Sequence, residues 1–134
     1  MSPDARLLCG LTLILAPGIV YRGLTVLGVV TNGKFGTPGP QNLLPSQVSL
    51  YRAGHAHAGA LTLLSLFLQV ALDYALLPHG VVMPIRLAAL AAALLVSGGF
   101  FVIAHVPSMR GLLYVGAALV VLTTLTVGIG LLRA

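Results

Sequence analysis

Four stretches of twenty or more mostly apolar residues, parted by short breaks, fill nearly all of this 134-residue chain and leave little room for anything but helices that cross a bilayer. With 58% of residues hydrophobic and 7% charged, the chain has too little polar surface to cover itself in water. Doubly wound, TIM-barrel and disulfide-built extracellular folds are therefore excluded, and the chain reads as an integral membrane protein. The spans fall at about 7–30, 53–77, 85–106 and 112–132, within one transmembrane domain covering 1–134. Short connections make consecutive helices antiparallel neighbours, so the expected fold is all-α, an integral membrane four-helix up-down bundle.

Breaks and small residues give this bundle its detail. Pro17-Gly18 in the middle of the first span deletes a backbone hydrogen bond and predicts a kink. Apolar character runs past it without an Ala-x-Ala exit, so the first segment is expected to stay as a helix and not to be cleaved as a signal peptide. Thr31 to Gln47 is the longest loop, and Pro78-His79-Gly80 ends the second span. The third span is rich in alanine, glycine and serine, which let membrane helices approach closely.

The net charge of +5 comes from seven scattered Lys/Arg against two Asp/Glu and makes no nucleic-acid footprint. The termini and the loop after span two share one side of the membrane, side A, and the other two loops share side B. Arg6, Arg86 and Arg133 count toward side A, and Lys34, Arg52 and Arg110 toward side B, so positive charge does not orient the chain. The single cysteine, Cys9, excludes an internal disulfide and a cysteine-built metal site. Tyr51 and Tyr114 read as markers of the side-B interface.

Polar side chains are costly in lipid, so the few that remain carry the information. They are Arg22 in span one, His55, His57, Gln69 and Asp73 in span two, and His105 in span three, with His79 assigned to a loop. Antiparallel order brings His55, His57 and His105 to the side-B end, and Arg22 lies ~13 Å deep there by helical rise. At ~100° per residue His55 and His57 point ~200° apart and cannot chelate one ion from one regular helix. His55 shares a polar stripe with Gly59, Thr62, Gln69 and Asp73 and is expected to face inward. His57 shares its face with Leu61, Leu64, Leu68 and Leu72, a lipid or partner-helix surface. His105 lies in line with Phe101, Gly98, Leu94 and Ala91.

An inward His55 opposite His105 suggests two axial imidazoles holding a haem b. Arg52, Arg110, Lys34 and Arg22 would meet its propionates, and Gly54 and Gly59 would leave room for its edge. A Zn, Cu or Fe ion held by His55, His57 and His105 is the competing ligand, with Met109 as a soft neighbour. The roles that follow are electron transfer or the handling or sensing of a small gas. Two other classes stay open: an accessory subunit of a larger membrane complex, and a proton-coupled transporter working as a homo-oligomer along the Thr62–Gln69–Asp73 stripe.

The run Arg52-Ala53-Gly54-His55-Ala56-His57-Ala58-Gly59, followed by an apolar helix, resembles small bacterial membrane proteins related to subunit I of haem–copper oxidases, among them nitric-oxide-response membrane proteins. The resemblance covers roughly residues 50–77. It implies that a histidine of the second helix, His55 or His57, ligates a haem, and that the protein sits in a bacterial inner membrane. The chain lacks the adjacent His-His pair of the dioxygen-reducing centre, which excludes a complete oxidase or reductase.

Overall fold

The computed structural model describes residues 1–37 and 39–134. Four helices form the fold: α1 (Pro3–Thr31), α2 (Pro45–Ala71), α3 (His79–Ile103) and α4 (Gly111–Leu132), with a 3-10 turn at Pro107–Arg110 ahead of the last. There is no strand among the described residues. Each helix runs opposite to the one before it. The start of α1 meets the end of α2 through Ser2 and Asp73, Gly54 of α2 abuts Phe100 and Phe101 near the end of α3, and Gly130 of α4 abuts Leu77. The all-α four-helix bundle expected from the sequence is present, and α1, α3 and α4 are long and apolar enough to cross a membrane. This is a membrane protein.

Local chemistry sets the helix ends. Ser2 caps α1 by accepting a hydrogen bond from Ala5 N, Pro3 occupies the first turn, and Asp4 complements the positive helix end. At the other end Asn32 and Gly33 adopt left-handed backbone, and Gly33 N donates to Gly28 O. The helix runs unbroken through Pro17.

Several boundaries differ from the sequence expectation, and α2 ends at Ala71 and not at Leu77. α2 starts at Pro45 and not near Ala53, because Pro45 fits a first helical position and the Gln47 side chain reaches back to accept from Leu44 N at 2.9 Å. α3 starts at His79, which the sequence assigned to a loop, and runs through Pro84. Pro84 is the sixth residue of α3, past the first turn, so the helix continues there without the hydrogen bond to Gly80 O.

The α2–α3–α4 side is closely packed. Leu68, Ala71, Leu72, Ile85, Ala89 and Val127 form its core. A Cβ built on Gly116 would come within 2.7 Å of Val96, one on Gly99 within 2.9 Å of Leu113, and one on Gly130 within 2.9 Å of Ala75 and Leu77. Those glycines are what allow α4 to lie against α3 and the α2–α3 connection. Leu76 N donates to Gly130 O at 2.9 Å, which ties that connection to α4. Leu68 and Leu72 belong to this core, so the lower half of the His57 face covers a partner helix and not lipid.

α1 is different. Ala5, Leu8, Cys9 and Thr12 are buried near its start and Val26, Gly28 and Val29 near its end, with none between. That bare stretch from Thr12 to Val26 spans ~21 Å of helix axis.

Candidate functional site: a cavity between α1, α2 and α3

A cavity of about 680 Å³ opens along the bare stretch of α1. Its walls come from α1 (Thr12 to Arg22), α2 (Tyr51 to Ser65) and α3 (Leu90 to Val102). A Cβ built on Gly18 or Gly98, both in the wall, would meet nothing within 4 Å, so these two glycines widen the space and join no helix contact.

His55 stands on α2 toward the side-B end of this cavity, with α1 passing beside its ring. A Cβ on Gly23 of α1 would touch its Cε1 and Nε2 at 3.2 Å, which fixes how closely α1 passes the ring. Its Nδ1 is buried and has no hydrogen-bond partner. Ser97 and Ser65, also in the wall, carry buried hydroxyls without partners, although Thr12 in the same wall donates to Leu8 O at 2.7 Å. Three of the unpartnered buried polar atoms among the described residues thus belong to one cavity wall. Since buried polar groups are nearly always paired, such a group calls for an explanation.

The other expected site residues divide. Arg22 lies in the cavity wall, next in sequence to the glycine that touches His55. Arg52, Arg110 and Lys34 are exposed and line none of it. His57 is exposed, donates from Nδ1 to Ala53 O at 2.8 Å, and lies on Phe100 with ring centres 4.9 Å apart. His105 is exposed, two residues beyond the end of α3, and its Nε2 is 2.9 Å from the Tyr51 hydroxyl.

The three histidines therefore do not converge. Because α2 begins at Pro45, His55 lies ten residues into the helix, ~15 Å along it, and not in its first turn. It is level with Phe100 and Phe101, whereas His105 sits four residues further toward side B. Tyr51 and Phe101 stand nearby edge to face, ring centres 5.3 Å apart. Tyr51 is buried in a small core with Val26, Val29 and Ala104 and is not an interface marker. No grouping of three or more His, Cys, Asp or Glu suited to a metal ion occurs among the described residues.

A second polar cluster, at side A, escaped the sequence reading. Arg86 is 2% exposed, and Gln69 fully buried. The guanidinium donates to Gln69 O at 2.6 Å, to Gln69 Oε1 at 3.2 Å, to Ser2 Oγ at 3.3 Å and to Asp73 Oδ1, while Gln69 Nε2 donates to Arg86 O at 2.9 Å. Ser2 N donates to the other Asp73 oxygen at 2.6 Å. Burial alone would raise the Asp73 pKa, but the hydrogen bonds from Ser2 and Arg86 and the guanidinium charge outweigh it and hold the carboxyl below its ordinary value. The cluster fastens α1, α2 and α3 together. The sequence places Arg86 as a flanking cation because Pro84-Ile85 reads as the beginning of a span, whereas α3 begins at His79.

No family model, no curated protein and no solved structure matches the chain. The resemblance of the His55–His57 segment to haem–copper oxidase relatives rests on its own residues.

Proposed function

We propose that the chain is a membrane haem b protein in which His55 is the one histidine ligand and the α1–α2–α3 cavity takes the porphyrin. The observation that carries this is the unpartnered imidazole nitrogen of His55 in the wall of a large, mostly apolar cavity. Leaving such a group unsatisfied costs about 1–3 kcal/mol, which a ligand bound to the ring would offset.

Size and lining agree with the reading. About 680 Å³ falls within the roughly 300–1,000 Å³ of small-molecule and cofactor sites. Gly18 and Gly98 leave flat walls on α1 and α3, and Arg22 is the wall cation for a propionate. A single histidine ligand is favoured because His105 is absent from the cavity lining and its Nε2 is engaged by the hydroxyl of Tyr51, a wall residue. When bound, haem supplies one-electron chemistry and affinity for small diatomic gases. With one histidine on the wall, the reading favours gas handling or sensing over simple electron transfer. The Asp73 carboxylate, clamped by Arg86 and Ser2, favours a structural role for the lower half of the polar stripe over proton transport.

The test is the visible spectrum of detergent-purified protein expressed with ample haem, oxidised and dithionite-reduced. A Soret band that shifts on reduction, persists in His105→Ala and disappears in His55→Ala is expected. A featureless spectrum overturns the reading.

A further inference from the structure

The cavity is fenced along the bundle axis and open to one side. At side A, Ser2, Asp73 and Arg86 bind α1 to α2 and α3, and Ala5, Leu8, Cys9 and Thr12 are buried behind them. At side B, Val26 and Val29 of α1 pack with Tyr51 and Ala104, and the Tyr51 hydroxyl meets His105. Between these fastenings no residue of α1 is buried. On the two helices that flank the gap, Leu15 of α1 is 53% exposed and Leu94 of α3 is 59% exposed, although both line the cavity. Gly18 and Gly98 present no side chain across it.

We infer that the gap between α1 and α3 is a lateral portal through which a membrane-dissolved ligand passes from the bilayer into the cavity and reaches His55. In an up-down bundle the middle of α1 and the middle of α3 lie in the hydrocarbon layer, so the opening between them faces acyl chains and not water. A flat, largely apolar molecule already dissolved in the bilayer, its carboxylates at the headgroup level, crosses this window without breaking either fastening. The aqueous route at side B would require displacing Tyr51 from its core. The inference rests on the proposed haem site and adds its route: haem arrives from lipid.

The experiment places a removable plug in the window. In a Cys9→Ser background, Leu94→Cys is capped in detergent with benzyl methanethiosulfonate, reconstituted into phosphatidylcholine vesicles, and given haem dissolved in those vesicles. Soret growth at least tenfold slower than in uncapped protein, recovered once the cap is removed with thiol, is expected. Met109→Cys, exposed on the side-B turn and outside the cavity wall, serves as the control and is expected to load at the uncapped rate when capped. Equal rates with and without the Leu94 cap, or slowing by the Met109 cap alone, overturn the portal. Absence of any Soret band in uncapped protein instead overturns the haem reading. A nitroxide on Leu94→Cys in the same vesicles still reads the portal without haem: frequent collision with dissolved oxygen supports an opening to lipid, and shielding, as by a second copy of the chain, overturns it.

Discussion

The two sides of this bundle use glycine in opposite ways. Against α4, Gly99, Gly116 and Gly130 stand where any side chain would strike Leu113, Val96 or Leu77, and they bring helices together. Beside α1, Gly18 and Gly98 stand where a side chain would strike nothing, and they hold space open. Gly98 and Gly99 are neighbours in sequence, yet they serve the two uses on successive faces of α3. The lesson is that a small-residue stripe in a membrane helix does not by itself announce packing. What it faces decides.

That contrast is broken or sharpened by substitution. The largest effect is expected from Arg86→Met, which strands Asp73 and the Gln69 carbonyl in the fastening that keeps the open side assembled. Removing one partner of a buried pair costs about 3–5 kcal/mol, and unfolding in detergent should show it. Next, Gly116→Leu should cost about 1–3 kcal/mol by overpacking against Val96. Gly98→Leu, one face away, should leave thermal stability within about 1 kcal/mol of the parent and reduce haem uptake. If both glycine variants destabilise equally, the distinction between packing and spacing glycines fails.

Acid should loosen the same fastening. The folded-state pKa of Asp73 is lowered, so its contribution is complete above the unfolded value of about 3.9 and is lost as pH falls from there through the lower folded value. The parent should lose stability across that window more steeply than Asp73→Asn, as chemical denaturation at stepped pH would reveal. Tyr51→Phe should cost about 0.5–1.5 kcal/mol through the lost bond to His105. His57→Ala, on an exposed side chain, should change stability by about 0.5 kcal/mol or less and leave haem in place.

Much of this architecture was legible in the letters. Apolar run length yields four helices, and the angular offset of His55 from His57 correctly turns the first inward and the second outward, because helical periodicity survives any error in where a helix begins. Depth does not survive such an error. Starting α2 eight residues late placed His55 at the rim, and that displacement produced the expected meeting with His105. The same kind of shift hid Arg86: once α3 starts at His79, this residue lies seven positions in, ~10 Å along the axis, where an arginine must find partners. The cavity itself had no signal, since Gly18 and Gly98 look like any other small residues until the neighbouring helix is seen to stand away from them.

The central claim is that one imidazole anchors the ligand. Its most direct measurement is chemical rescue in His55→Gly, with haem-loaded absorbance recorded before and after adding imidazole and His105→Gly treated alongside. His55→Gly is expected to lack a Soret band and to regain it with imidazole, whereas His105→Gly is expected to be coloured without help. Loss of colour in His105→Gly, or a His55→Gly protein that binds haem unaided, would contradict it.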